Sequence, residues 1–205
     1  MQLNTTTVAP DLMALIASLM RHPELAGFAM VGGSSLALRF GHRTSVDIDL
    51  FCTDAFDAQT LANALISDFK MTETEVETNT VRGFINSIKT DFIAHRYPQL
   101  APIEVINDIR LYSLQDVAAM KLNAITNRGS KKDFWDYAEL LSHFSHEEML
   151  SWFAQKYAHE SIWHVQKSLV YFDDAECDPD PLDARGYTWS MIKERIIQAA
   201  RLPDT

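Results

Sequence analysis

Residues 32–51 read GGSSLALRFGHRTSVDIDLF, and this stretch decides the fold. It begins with a Gly-Gly-Ser turn at 32–34 and ends with Asp47 and Asp49 in an apolar run. Because alternate side chains of a strand point to one face, the two carboxylates share a face. Neighbouring carboxylates repel each other unless a cation neutralises them, and Mg²⁺ with a substrate triphosphate is the usual solution. The stretch therefore predicts a metal site that faces a glycine-built phosphate loop.

Apolar residues on both sides of this stretch predict the elements that carry it. Val46, Ile48 and Leu50 alternate with the aspartates and are expected to point into the core. An apolar run over residues 28–31 stops at the two glycines and predicts a buried strand. A helix follows the turn and ends at Gly41. The order predicted around the site is therefore strand, glycine turn, helix, strand.

Strands come early in the chain and helices come late. Further strands are predicted over 81–86 and 88–94, and a capping box that begins at Ser113 opens a mostly helical remainder. The fold class is therefore α/β or α+β, with a mixed sheet of about four or five strands flanked by helices. We expect two regions, a core over 1–112 and a helical C-terminal region over 113–205 that packs on it.

Composition excludes several classes of protein. The 205-residue chain has a formal net charge of −10, so a broad cationic surface of the kind that coats nucleic acid is not expected. No window of eighteen apolar residues occurs, which argues against a membrane span, and two cysteines are typical of a reducing cytoplasm. Much of the negative charge falls within residues 173–183, which we interpret as a solvated loop, with a partner-binding surface as the alternative.

Other charged residues extend the predicted site. If the strand that contains Asp91 lies beside the first carboxylate strand, three carboxylates converge, and such a triad holds two divalent ions roughly 3.5–4 Å apart. Lys121 falls on the apolar stripe of a predicted helix, and an inward lysine often marks a cleft that holds an anion. Arg43 either binds phosphate or flanks the loop before the strand. Asp133 either joins the site or completes a helix cap that begins at Ser130.

These blocks together resemble the core signature of the AbiEii/AbiGii toxin nucleotidyltransferases, members of the polymerase β-like superfamily. The first block covers residues 32–39 and 41–51. The second signature is similar to Lys121-Leu122-Asn123-Ala124, Arg128 and Lys132-Asp133-Phe134-Trp135-Asp136. Asp91 matches the third catalytic carboxylate of the superfamily. The resemblance extends over roughly residues 25–145, and it implies that the core over 1–112 is the nucleotidyltransferase core.

The resemblance also implies an activity, which is transfer of a nucleoside monophosphate from a nucleoside triphosphate to an acceptor, with two Mg²⁺ ions and release of pyrophosphate. The implied catalytic and metal-binding residues are Asp47, Asp49 and Asp91. The implied nucleotide-binding residues are Gly32, Gly33, Ser34, Arg43, Lys121 and Asp133. The implied acceptor is an RNA such as tRNA, or a protein, and the implied partner is a cognate antitoxin of a toxin–antitoxin or abortive-infection system.

Two alternatives stay open from the sequence. One is transfer to a small molecule, as in antibiotic nucleotidyltransferases, which the acidic composition supports. The other is a catalytically silent fold that binds a nucleotide or a partner protein. Calorimetric titration with nucleoside triphosphates would show binding in each of these cases, and only an enzyme would release pyrophosphate once the acceptor is present.

Overall fold

The structure is a computed structural model that describes residues 3–200, and it divides into two compact units. The first unit runs to Gly41, continues over Ser45–Pro98 and ends with Pro102–Tyr112. The second unit contains His42–Thr44, Gln99–Ala101 and the chain from Ser113 onward. No helix among the described residues has the length and apolar character needed to cross a membrane.

The first unit combines one mixed sheet with three helices. Its strands are β1 Ala29–Met30, β2 Ile48–Cys52, β3 Thr72–Glu77, β4 Thr80–Ile85, β5 Ile88–Ala94, β6 Glu104–Ile106 and β7 Ile109–Leu111. Its helices are α1 Pro10–Arg21, α2 Gly32–Phe40 and α3 Ala58–Phe69. The strand order is β3-β4-β5-β2-β1-β7-β6. The pairs β2–β5 and β1–β7 are parallel and the other pairs are antiparallel.

The predicted mixed α/β class is confirmed, but the predicted strand number of four or five is too low. Seven strands form within residues 3–200. The edge strand β6 has only three residues, and the edge strand β3 is mostly exposed and rich in glutamate and threonine. Neither edge therefore carries the apolar alternation by which a half-buried strand is identified in a sequence.

One face of the sheet builds the core of the first unit. Ile48 and Leu50 of β2 are buried in it, as their alternation predicts. Val46 was expected to share that face but is 64% exposed. The reason is that β2 begins only at Ile48, so residue 46 lies in the segment that enters the strand and does not follow its alternation.

The second unit is helical. Its helices are α4 Leu114–Asn127, α5 Lys131–Leu140, α6 His146–Lys156, α7 Ile162–Leu169 and α8 Trp189–Ala200. Ser113 caps α4 as predicted, because its hydroxyl accepts the N–H of Asp116. The capping box predicted at Ser130 is wrong. The hydroxyl of Ser130 donates to the side chain of Asp133 instead, at 2.6 Å, and makes no cap to the backbone.

The acidic stretch over 173–183 is in part structural, which corrects its interpretation as a solvated loop. Asp178 accepts the backbone N–H of Lys131 at 2.9 Å, at the first turn of α5. Asp180 accepts the amine of Lys131 at 2.9 Å. Asp183 accepts the indole N–H of Trp135 at 2.8 Å. The acidic residues of this stretch therefore hold it against α5.

Candidate active site

Asp49 and Asp91 lie side by side in the first unit. β2 and β5 run parallel in a register that pairs Asp49 with Asp91. Paired residues of neighbouring strands are about 4.8 Å apart and point to the same face of the sheet. The neighbours Ile48 and Leu50 are buried, so the two carboxylates occupy the opposite face of β2 and β5. The register therefore brings together two of the three predicted carboxylates.

Asp47 lies immediately before β2, and a side chain of α2 holds its backbone. The hydroxyl oxygen of Ser34 is in hydrogen-bond contact with the carbonyl of Asp47 and lies 2.8 Å from that of Ser45. A carbonyl only accepts, so Ser34 donates to Asp47 and accepts from Ser45. Ser34 is 1% exposed, so its hydroxyl fixes the segment that presents Asp47. The phosphate contact predicted for Ser34 stays a prediction.

Gly32 brings the first turn of α2 against the carboxylate of Asp49. Its φ of +69° lies in the left-handed region, and a Cβ at this position would overlap the carboxylate of Asp49. The first N–H groups of a helix have no partner within the helix, and Val31 supplies no side-chain cap. Gly33 follows in the same turn and is half-buried. The positive end of α2 thus lies next to the carboxylate of Asp49. This arrangement suits a phosphate group that contacts the helix N-terminus while its metal ion contacts the carboxylate.

The two carboxylate oxygens of Asp91 have different surroundings. Its Oδ2 lies 3.7 Å from Nε of Arg82 and 3.6 Å from Nζ of Lys89. Its Oδ1 is buried and has no hydrogen-bond partner among the described residues. A buried carboxylate oxygen without a partner is costly unless a cation or donor reaches it. The oxygen is therefore well suited to receive an ion.

The chemistry of this donor set fits Mg²⁺. Magnesium prefers oxygen ligands and is usually bound by one or two carboxylates together with substrate phosphates. Within residues 3–200, no group of three or more His, Cys, Asp or Glu side chains is placed to hold a metal ion. The metal-binding roles of Asp47, Asp49 and Asp91 therefore stay predictions.

Two cations beside Asp91 were missed in the sequence. Arg82 pairs with Asp91 across β4 and β5, and Lys89 precedes Asp91 by two residues on β5. The position of Lys89 could have been predicted, because residues two apart in a strand share a face and Lys89 is two residues before Asp91. Arg82 carries no such signal, since its position opposite Asp91 depends on the hairpin register.

The other predicted nucleotide-binding residues meet in the second unit, around two carboxylates of α5. Asp136 accepts from Arg43 Nε at 2.7 Å and lies 2.8 Å from Nε2 of His42. The amine of Lys121 lies 2.7 Å from Asp136 and 3.0 Å from Asp133. The anions that face the inward lysine are therefore carboxylates of the protein itself. Nucleotide contacts by Arg43, Lys121 and Asp133 stay predictions.

Coulombic attraction keeps this network charged in spite of its burial. Burial works against the charged amine of Lys121, but the carboxylates of Asp136 and Asp133 outweigh it and raise the lysine pKa above its ordinary value. Burial likewise opposes ionisation of Asp136, yet Arg43 and Lys121 hold its pKa well below the usual range. The pKa of Asp133 is lowered for the same reason, with Lys121 and Arg128 as the cations.

Comparison with known proteins identifies the family. The model of the nucleotidyl transferase AbiEii toxin family of type IV toxin–antitoxin systems matches residues 14–106 and 83–204. The uncharacterized protein aq_aa25 of Aquifex aeolicus is 33% identical over 154 residues, which cover 72% of this chain and 75% of that protein.

Solved structures support the same fold. JHP933 from Helicobacter pylori aligns over 92% of this chain and 86% of its own, with a TM-score of 0.53 and 16% identity. The nucleotidyltransferase toxin MenT4 from Mycobacterium tuberculosis aligns over 93% of this chain and 83% of its own, with a TM-score of 0.55 and 15% identity. Identities this low show the fold alone. Together with the family match they confirm the resemblance found in the sequence: the chain is a nucleotidyltransferase and belongs to the AbiEii toxin family of type IV toxin–antitoxin systems.

Proposed function

We propose that the protein transfers a nucleoside monophosphate from a nucleoside triphosphate to an RNA acceptor, such as tRNA, with two Mg²⁺ ions bound at Asp47, Asp49 and Asp91. The observation that carries the proposal is the register that pairs Asp49 with Asp91 beside the first turn of α2. Carboxylates and a helix N-terminus are the two kinds of group that a metal-bound triphosphate needs.

The proposed reaction forms one bond and breaks one. The acceptor hydroxyl oxygen attacks the α-phosphorus, the bond from that phosphorus to the bridging oxygen of pyrophosphate breaks, and the hydroxyl proton leaves the acceptor. The carboxylates of Asp47, Asp49 and Asp91 would hold the Mg²⁺ ions, which would lower the pKa of the attacking hydroxyl and neutralise charge on the departing pyrophosphate. Asp91 Oδ1, which is buried and has no hydrogen-bond partner among the described residues, is the atom suited to accept the hydroxyl proton.

Within the first unit, binding of the triphosphate is assigned to the first turn of α2. Gly32 and Gly33 let the backbone N–H groups approach the phosphates closely. For the second unit, we propose separately that Arg43, Lys121 and Asp133 contact a nucleotide, and that Lys121 does so only if it exchanges a carboxylate partner for a phosphate. The domain division that goes with this proposal is a nucleotidyltransferase core over 1–112 and a helical region over 113–205.

Two cations near Asp91 are suited to contact an anionic acceptor. Arg82 and Lys89 both lie within 4 Å of Asp91 Oδ2, on the face of the sheet that carries the carboxylates. Each of these cations can contact a phosphate group of an RNA backbone, although Arg82 also lies 3.9 Å from Glu77 of β3. We therefore propose RNA as the acceptor. We further propose that the enzyme acts in the cytoplasm, where nucleoside triphosphates and RNA are present, and that a cognate antitoxin controls it.

The test is incubation of the protein with each α-³²P-labelled nucleoside triphosphate, Mg²⁺ and total cell extract. Asp49→Asn removes one carboxylate charge and keeps the side-chain shape. Asp54→Asn is the matched control, because Asp54 lies two residues after the end of β2 and is exposed. We expect label in RNA with the wild type and Asp54→Asn, and none with Asp49→Asn.

Other outcomes have definite meanings. Label that appears only in small molecules would contradict the RNA acceptor and support transfer to a small molecule, as in antibiotic nucleotidyltransferases. Equal labelling by Asp49→Asn contradicts the proposed metal site. Absence of any labelling by the wild type across all four nucleotides and RNA-containing extract contradicts the transferase proposal as a whole.

A further inference from the structure

Three aromatic residues lie near the ends of β2 and β5 in the first unit: Phe51 within β2, and His95 and Tyr97 just after β5. Phe51 comes two residues after Asp49 on β2, and the register pairs it with Ile93, two residues after Asp91 on β5. Side chains two residues apart in a strand share a face. Phe51 therefore lies on the carboxylate face, about 6.6 Å along the strand from Asp49.

The rings make contact with one another. The ring centroids of Phe51 and His95 are 5.5 Å apart, with an interplanar angle of 26°, which is a stacked arrangement. The centroids of His95 and Tyr97 are 4.8 Å apart, at 38°. The backbone N–H of His95 donates to the carbonyl of Cys52 at 2.8 Å, which extends the β2–β5 pairing beyond the last residue of β5. The row of rings is thus held by the same two strands that hold the carboxylates.

The rings of this row are less buried than those of the hydrophobic core. The buried aromatic cluster of the first unit includes Phe28 and Phe92, which lie in the hydrophobic core. Phe51 and His95 are only partly buried, and Tyr97 is 46% exposed. Part of this row is therefore accessible to a ligand at the surface. Aromatic rings of this kind stack on nucleobases, a mode that open sheet faces use in RNA-binding domains.

We propose that Phe51, His95 and Tyr97 form a stacking platform for the base of a nucleotide whose phosphates lie at Asp49 and Asp91. The inference rests on the proposed function, because that function places the phosphates. The ligand chemistry is a flat nucleobase. Its source is either the donor triphosphate or the RNA acceptor, since both bring a base within one nucleotide length of the reacting phosphorus.

The test compares ligands with and without a base. The probes are ATP, CTP, GTP and UTP, a short single-stranded RNA, and inorganic tripolyphosphate, each titrated calorimetrically with Mg²⁺. Tyr97→Leu removes the aromatic ring and keeps an apolar side chain, and Tyr97→Phe is its control because it keeps the ring. Urea unfolding of each variant checks that the first unit remains folded.

The platform predicts that Tyr97→Leu weakens binding of a base-bearing probe by about 5- to 100-fold, the usual effect of losing one stacked base. Tyr97→Phe should bind like the wild type, and tripolyphosphate should bind all three proteins equally. An effect on the triphosphates alone assigns the platform to the donor base, and an effect on RNA alone assigns it to the acceptor base.

Three results would overturn the inference. They are unchanged binding of every base-bearing probe by Tyr97→Leu, an equal loss of tripolyphosphate binding, or no binding of base-bearing probes by the wild type. Failure of the proposed function is recognised separately, as absence of label transfer by the wild type, because the titrations do not require turnover.

Discussion

Replacement of Gly32 by alanine tests the close approach of α2 to Asp49. The new Cβ would overlap the carboxylate of Asp49, and the φ of +69° is unfavourable for any residue with a Cβ. The left-handed conformation alone costs about 1–2 kcal/mol of folding free energy. Overlap with the carboxylate adds a displacement of Asp49, and a misplacement of about 1 Å at a reacting centre costs on the order of 100-fold in rate.

Gly186 supplies the matched control, because its φ is +82° and a Cβ there would meet nothing within 4 Å. Both substitutions are therefore expected to lower the free energy of unfolding in urea by about 1–2 kcal/mol. Only Gly32→Ala should lose transfer activity, by about 100-fold, measured with labelled nucleoside triphosphate at a temperature where both variants are folded. A Gly32→Ala protein with the activity of Gly186→Ala would refute the close approach as the reason for this glycine.

Further predictions concern the buried charges of the second unit. Lys156→Met leaves the buried carboxylate of Asp116 without the amine that lies 2.7 Å away, and should lower the free energy of unfolding by about 3–5 kcal/mol. Lys193→Met breaks a surface pair with Glu176 and should shift the urea midpoint little; equal shifts would contradict the buried-pair argument. The lowered pKa values of Asp133 and Asp136 stabilise the fold above their unfolded values of about 4, and this stability is lost as pH falls through the folded values. Asp133→Asn should therefore unfold with a shallower pH dependence than the wild type below about pH 4 in urea titrations, and an unchanged slope would contradict the cause assigned to the shift. The pKa of Lys121 is raised, so its contribution to the stability of the fold is lost at high pH, as pH rises through the pKa of the folded state.

Local features of the site could be predicted from the sequence because they depend on residues close in the chain. The helix and its end at Gly41 follow from apolar spacing and from glycine backbone freedom. The separate turn predicted before this helix is wrong, because Gly32 and Gly33 are its first two residues. Inward placement of Ile48 and Leu50 follows from strand alternation. The same alternation failed for Val46, because a pattern does not show where a strand begins.

Long-range features required the structure. Asp49 and Asp91 meet because β2 and β5 are neighbours in parallel, and no local pattern specifies the pairing or register of strands separated by so many residues. The sequence singled out Asp91 as a carboxylate within a predicted strand, and the resemblance matched it to a catalytic position, but neither gave the pairing of the two strands. The partners of buried charges also could not be predicted from the sequence. The apolar stripe placed Lys121 inward and suggested an anion in a cleft, but the anions that Lys121 meets are the carboxylates of Asp133 and Asp136.

The most direct test of the metal site is a crystal structure of the protein with Mn²⁺ and a non-reactive nucleoside triphosphate analogue, with anomalous scattering used to locate the metal. The account predicts Mn²⁺ about 2.1 Å from carboxylate oxygens of Asp49 and Asp91 and from phosphate oxygens of the analogue. A nucleotide bound in the crystal with its metal ligated away from both carboxylates would contradict it.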